Sequence, residues 1–510
     1  MLVTGILLAL AAAVAAEDCF VPSELRSHRI CINENGTLTT TLIPEADRAP
    51  PSAYVDMDTM WNLLTGSMVF FMQAGFTMLT AGCVSTKNVQ NILYQNVMVG
   101  CIGAIAFWFL GYGFAFGGAN DNPFIGSANF GMDSFTNDNN QHRSWFFQYC
   151  FVETGATIVA GSVAERTKMS GYFIYAFVIS AFIYPVVAHW VWDNEGWLSA
   201  FGAGKDKLFY GGQGSNGMID FAGCGVVHMV GGFSGLVGAI AVGPRVGRFT
   251  ERGEAYYVPH NMLVSTLGVV ILWFGWYGFN PGSTLAIVGY SKVSAKVAVT
   301  TSISAATGAL TSTFFSKAMT GKYDLMVTLN GLLAGLVAIT AACPVVEPWG
   351  AFIIGFVGAF VYMGLSKLIK RLKIDDPLDA FPIHGGCGMW GLLVCGIPGI
   401  VSDKSVGWVY GTDNDAVLRG EQFAVQLVGL ICIMLWTVVT SSIMFFGIKY
   451  TIGLRVLPEI EQAGLDISEH GGIAFFDAPA KITDLELGVV EKAAAKTAAL
   501  EEDPKASVQV

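Results

Sequence analysis

Two histidines stand deep in apolar stretches, each eight residues after an aspartate. DFAGCGVVHMVGGFSGL holds Asp220 and His228, and DPLDAFPIHGGCGMWGL holds Asp376 and His384. Both run on to a Gly-Leu at the same offset, Gly235-Leu236 and Gly391-Leu392. An ionisable side chain inside hydrocarbon is costly and, where present, usually faces a cavity or a pathway. Two of them at matched positions suggest a membrane protein whose halves repeat around one conduction path.

Composition supports the membrane reading. Aliphatic and aromatic residues make up 53% of the 510 residues and charged residues only 13%, too few to cover the surface of a soluble chain of this length. The 61 glycines suit close approach of membrane helices. The net charge of −11 resides mainly in loops and tail and gives no reason to expect nucleic-acid binding. Residues 1–16 read as a signal peptide, a short apolar run ending in small residues, although no Lys or Arg precedes it. Residues 17–55 are polar and expected to be extracellular. They carry Cys19 and Cys31, a disulfide or two free thiols, and the sequon at Asn35, glycosylated or unused.

Eleven apolar segments are long enough to cross a bilayer, near 60–82, 92–114, 145–163, 171–190, 219–242, 261–279, 297–315, 325–342, 349–368, 383–401 and 422–448. One set of alternating loops holds Lys87, Arg166, Lys168, Arg245, Arg248, Arg252, Lys317, Lys322, Lys367, Lys370, Arg371 and Lys373. The other holds Arg143, Lys205, Lys207, Lys292, Lys296, Lys404 and Arg419. The richer set belongs in the cytoplasm, which places the N-terminus outside and the C-terminus inside. The histidine segments are five spans apart and therefore run in opposite directions. The expected fold is an all-α polytopic membrane protein: two inverted five-helix repeats plus an extra C-terminal helix. The transmembrane domain covers 56–448 and a cytoplasmic regulatory tail 449–510.

His228 and His384 are the two deep histidines of seven. They are satisfied core residues or a neutral imidazole pair lining a narrow lumen, and the matched repeat favours the lumen. A neutral imidazole offers one donor and one acceptor, which suits a small polar molecule or a proton relay. No cysteine or carboxylate ligand set accompanies them, so neither a metal nor a cofactor is expected. No nucleophile–base pair or nucleotide loop points to an enzyme.

Several motifs carry a family resemblance. DFAGCGVVHMVGG, GWYGFNPGS, FQYCF followed by VAGSVAERTK, and FPIHGGCG, in this order and spacing, closely resemble the Amt/Mep/Rh family of ammonium transporters, over about residues 55–475. HWVWDNEGW looks most like the eukaryotic, plant-type Amt branch. The resemblance implies a plasma-membrane homotrimer with one pore per subunit, conducting ammonium or ammonia, with methylammonium as analogue. It assigns Phe151 and Phe279 to stacked rings closing the pore, and Phe147, Trp192 and Ser283 to an outer recruitment site. It places Asp220 near that site and makes His228 and His384 the twin pore histidines. Plainer roles stand beside these: packing for the phenylalanines, an interfacial belt for Trp192, a helix-end turn for Ser283 and an N-cap for Asp220. The plant-type resemblance favours electrogenic uptake. The alternatives are an Rh-like neutral gas channel, or an ammonium sensor with little flux.

Two further residues stand out. Glu153 follows Phe151 by two positions, where the family usually carries a small or apolar residue; it points about 200° away from Phe151, towards a subunit interface or a buried partner. Ser468, in GLDISEHGG, sits where plant-type relatives carry a phosphorylatable residue. It reads either as a regulatory site or as a helix-start cap.

Overall fold

The computed structural model describes residues 51–118, 122–135, 139–200, 217–401, 421–472 and 474, with three strand segments nearer the N-terminus. The expected signal peptide, the sequon at Asn35 and the loop lysines Lys205, Lys207 and Lys404 lie outside the described residues. The strands β1 (Cys19–Phe20), β2 (His28–Ile32) and β3 (Leu38–Leu42) form an antiparallel sheet in the order β1-β2-β3. The all-α expectation therefore holds for the membrane domain and not for this segment. There, β-branched residues at Ile30, Ile32 and Thr39–Thr41 favour pleated pairing. The register sets Cys19 opposite Cys31.

The helical part begins at α1 (Pro51–Cys83). It continues through α2 (Thr86–Phe116), α3 (Asn139–Val163), α4 (Met169–Trp192) and α5 (Cys224–Val242). Next come α6 (Met262–Gly282), α7 (Ser291–Thr320), α8 (Leu325–Ile339) and α9 (Pro348–Arg371). A π-helical segment, Phe381–Gly386, opens α10 and Cys387–Val394 completes it; α11 is Glu421–Thr451. Seven of these, α1, α2, α4, α5, α6, α9 and α11, are long and apolar enough to cross a membrane. α8 and α10 are short, and α3 and α7 carry many polar residues.

The apolar segments 219–242 and 383–401 are not helical throughout. Residues 219–223 are not helical, and α5 starts with the π-helical segment Cys224–Met229. Gly223 has φ +105°, a left-handed conformation that favours glycine, and a Cβ there would lie 3.2 Å from the Trp192 ring. Open backbone at this depth requires internal partners. Phe221 and Ala222 donate to the carbonyls of Ala341 (3.3 Å) and Thr340 (3.2 Å). Gln426 of α11 accepts from the Ile219 amide (2.7 Å) and donates to its carbonyl (2.9 Å). At the other end of the chain, α10 stops at Val394 and gives way to turns.

Glycines set how closely helices meet. Between α1 and α6, a Cβ at Gly268 would lie 2.3 Å from the Leu79 amide nitrogen, and one at Gly275 2.2 Å from Met72 Cγ. Between α5 and α10 the approach is as tight: a Cβ at Gly232 would lie 2.2 Å from the Gly385 nitrogen and 2.6 Å from its Cα. That crossing is adjacent to both deep histidines. Backbone cannot yield as a flexible side-chain end can, so Gly232→Ala should push the helices apart. The expected outcome is destabilisation by about 1–3 kcal/mol, read as a lower melting temperature of the detergent-solubilised protein.

Candidate functional site

The two histidines meet at the α5–α10 crossing. Their Nδ1 atoms are 3.2 Å apart and their rings stack at 5.2 Å between centroids. Both are buried, His228 at 0% exposure and His384 at 4%. A hydrogen bond between two Nδ1 atoms needs one donor and one acceptor, so a neutral pair holds one shared proton between the rings. The other nitrogen of His228, Nε2, is buried and has no partner among the protein atoms.

Each histidine helix is held at its start by the aspartate eight residues earlier. Asp220 Oδ2 accepts from the amides of Gly225 (2.9 Å) and Val226 (3.0 Å), and Oδ1 accepts from Gly223 (3.1 Å). Asp376 Oδ2 accepts from the Phe381 amide (2.8 Å). The repeated Asp/His spacing thus has a mechanical meaning: it caps the opening turn from which each imidazole projects. The Asp220 main chain also accepts from Trp192 Nε1 (2.8 Å), which ties the indole to this cap.

From the histidine pair, aromatic rings continue in contact. Phe279 stacks on His228 at 5.5 Å and on Phe151 at 4.1 Å. Phe151 meets Phe147 at 4.8 Å and the edge of Trp192 at 5.9 Å. Phe147, Phe151 and Phe279 are buried and Trp192 is half-buried. Ser283, the C-cap of α6, donates its hydroxyl proton to the Phe279 carbonyl (2.8 Å). The six ring residues singled out from sequence therefore form one contiguous chain, to which Ser283 and Asp220 are attached by hydrogen bonds.

Two ring neighbours were not singled out from sequence. Trp276 stacks on His228 at 5.3 Å and 16°, and its Nε1 donates to Thr340 Oγ1 (3.1 Å). Phe76 of α1 lies 6.0 Å from the His384 ring. Trp276 was findable, since it precedes Phe279 by three positions, about one helical turn. Phe76 had no local signal. Among the described residues, no group of three or more His, Cys, Asp and Glu side chains converges as a metal site.

The segment after α11 packs against the ends of these helices. Leu454, Val456, Leu465 and Asp466 are buried. In the short helix α12 (Pro458–Ala463), Glu461 accepts from Arg455 (2.8 Å) and from the Val246 amide (2.7 Å). In α13 (Leu465–His470), Asp466 accepts from the amides of Gln90 (2.9 Å) and Asn91 (2.8 Å) at the start of α2. Burial pushes the Asp466 carboxyl up, against the pull of those amides. Ser468 lies in the last turn of α13, where its hydroxyl donates to the Gly464 carbonyl (3.1 Å). It is not a helix-start cap; α13 opens three residues earlier, with Leu465 following Gly464, whose φ is +106°.

A charged cluster stands beside the docked tail. Arg245 bridges Glu165 and Asp375, the latter at 2.7 and 2.9 Å, and Arg166 donates to the Asp375 carbonyl (2.6 Å). Burial opposes ionisation of Asp375, but Arg245 outweighs it and holds the carboxyl well below the usual carboxylate range.

Apolar membrane-length helices around a closed aromatic stack and a buried imidazole pair define a multi-pass membrane transport protein. The comparisons specify it further. The chain belongs to the Ammonium Transporter Family, whose signature matches residues 60–475, and it is an ammonium transporter. It is 38% identical to Ammonium transporter 1 member 3 of Solanum lycopersicum over 438 residues, 82% of this chain and 93% of that one. It is also 38% identical to Ammonium transporter Amt2 of Archaeoglobus fulgidus over 439 residues, 85% of this chain and 91% of that one. Among solved structures, a Sensor Amt Protein superposes with TM-score 0.73 at 32% identity, covering 82% of this chain and 99% of that one.

Proposed function

We propose that the protein takes up ammonium at the ring cluster of Phe147, Trp192 and Ser283, separates it from a proton near Phe151 and Phe279, and passes ammonia along His228 and His384. The observation that carries this reading is the unbroken ring contact from Trp192 to a histidine pair sharing one proton. Aromatic faces attract a desolvated cation by about 2 kcal/mol each. With its proton committed to Phe279, Ser283 Oγ offers lone pairs to an ammonium N–H. Asp220 is occupied by backbone amides, so it contributes charge at a distance rather than contact. Ammonia both donates and accepts hydrogen bonds, as a neutral imidazole does. A bare ammonium ion on the same path would lose its hydration without a counter-charge.

The same reading takes α1–α11 as eleven spans in two inverted five-helix repeats plus α11, with the N-terminus extracellular and the C-terminus cytoplasmic. It places the protein in the plasma membrane as a homotrimer with electrogenic transport. Facing residues of an antiparallel pair lie about 4.5–5.5 Å apart at Cα, within disulfide range, which supports a Cys19–Cys31 bridge; glycosylation at Asn35 belongs to the same extracellular segment. A second reading, a sensor with little flux, is favoured by the likeness to the solved Sensor Amt Protein. Labelled methylammonium uptake in transporter-deficient cells separates the two.

Trp192→Leu and Ser283→Ala should each raise the half-saturation for ammonium roughly tenfold, about 1.4 kcal/mol, at unchanged surface abundance. Unchanged half-saturation in both would remove the recruitment site from this reading.

The double variant His228→Ala/His384→Ala should reach the surface and lose ammonium-induced current. Wild-type current and selectivity in that variant would refute the histidine path.

Ser468 is the regulatory site of the docked tail. A phosphate adds about −1.5 to −2 charges beside Asp466 and Glu469, and displaces a hydroxyl seated on the Gly464 carbonyl. Undocking α13 would remove the Asp466 cap from α2. Ser468→Asp should cut flux at least about fivefold while Ser468→Ala retains it, compared at equal surface abundance. Equal flux from both would exclude gating by charge at this position.

A further inference from the structure

The end of α8 contributes no ring to the site, yet it holds His228 from two directions. Thr340, the C-cap of α8, is fully buried. Its hydroxyl donates to the Leu336 carbonyl (2.8 Å) and accepts from Trp276 Nε1 (3.1 Å). An indole N–H only donates, and with its own proton on Leu336 the Thr340 oxygen only accepts. The pair therefore has one arrangement. Trp276 is fully buried too. Of the three rings stacked on His228 it is the most nearly parallel, at 16° against 26° for Phe279 and 29° for His384. A single hydroxyl thus fixes the ring that most closely sets the imidazole plane.

The same turn holds the chain that leads into His228. The Thr340 carbonyl accepts from the Ala222 amide (3.2 Å), and the Ala341 carbonyl from the Phe221 amide (3.3 Å). Cys224, the first residue of α5, donates its thiol to the Val337 carbonyl (3.0 Å) and accepts from the Ala341 amide (3.1 Å). His228 stands about one helical turn beyond Cys224. The α10 helix rests on this turn as well: a Cβ at Gly391 would lie 2.5 Å from the Ala338 carbonyl oxygen and 2.5 Å from Cys224 Sγ. Ring plane, helix start and partner helix are all referred to the stretch from Val337 to Ala341. Most of these contacts are main chain, which any residue at 340 would supply. The contact with Trp276 alone depends on which side chain stands there.

We propose that Thr340 is a positioning residue of the transport path. Its hydroxyl holds the Trp276 indole flat against His228, and so keeps the imidazole in the plane from which Nδ1 meets His384 and Nε2 is left without a protein partner. This rests on the proposed passage of ammonia along the histidines. Without the hydroxyl, the indole N–H would be buried with no acceptor, a cost that turning the ring relieves. A turned indole no longer supports the imidazole plane. The contact between the two Nδ1 atoms then opens, and the shared proton stays on one ring. The hydroxyl touches neither Trp192 nor Ser283, so the step it controls is passage and not recruitment.

The test compares Thr340→Val with Thr340→Ser in the full-length protein, in cells lacking other ammonium transport, at equal surface abundance. Valine keeps the shape and loses the acceptor; serine keeps the acceptor. Maximal uptake of labelled methylammonium should fall at least about fivefold in Thr340→Val, with half-saturation unchanged, and Thr340→Ser should restore most of it. Wild-type uptake in Thr340→Val, or equal loss in both variants, would overturn the proposal. Trp276→Phe removes the N–H from the other side of the pair. Adding Thr340→Val to it should cost nothing further, whereas losses that multiply would show that hydroxyl and indole act independently. Nitrogen NMR of purified, histidine-labelled protein reads the ring pair without transport. Wild type and Thr340→Ser should show two Nδ1 signals coupled through one proton, and Thr340→Val should not. A coupled pair that persists in Thr340→Val, or is missing from wild type, overturns the positioning role. Wild-type transport in His228→Ala/His384→Ala would instead refute the histidine path, and the spectra would still decide whether Thr340 sets the ring.

Discussion

The structure depends on the crossing of α5 and α10 at Gly232 and Gly385. Two helices can bring imidazoles within 3.2 Å of each other only if their backbones nearly touch. With no side chain at either position, they do. The rest of the histidine site follows from that proximity. One shared proton fixes complementary tautomers, and ring stacking on Phe279 and Trp276 holds the His228 plane. A single extra methyl at the crossing meets backbone rather than a movable side-chain end.

That crossing forces a second arrangement. The chain must enter α5 through non-helical backbone inside the bundle, where every unpaired amide is costly. Asp220, Gln426 and the carbonyls of Thr340 and Ala341 take those amides. Asp376 does the corresponding work at α10. The matched aspartates therefore have a structural role, and the conduction role proposed for the histidines rests upon it.

The tail is joined to the His384 helix by contacts that can be traced residue by residue. Asn88 accepts from the Leu465 amide of the tail (2.8 Å) and donates to Glu165 (2.8 Å). Glu165 pairs with Arg245, and Arg245 with Asp375. Asp375 is next in sequence to Asp376, the cap of the His384 helix. Release of the tail would thus be felt first at the start of α2 and then, through two ion pairs, at α10. Such a chain is a route for coupling; the equilibrium between docked and released tail decides how much passes along it.

The sequence by itself determined the membrane class, the places of the apolar segments, the matched Asp/His pairs and, through its motifs, the rings that meet beside the histidines. These are legible because hydropathy acts over a local window and because the motifs are contiguous. The interruption at residues 219–223 and the early end of α10 were not legible. A glycine at φ +105° and a glutamine 207 positions away decide that backbone, and no local window contains both. The spacing of Trp276 from Phe279 was legible, but its stacking on His228 was not. Glu153 stood out in the sequence as a misplaced charge, with an interface and a buried partner equally open. Only tertiary structure showed that it is buried against Gly100 of α2. The physical reason is the same in each case: hydrophobic pattern decides which segments enter the membrane, whereas close packing between segments distant in sequence decides where the chain may bend and which polar groups find partners.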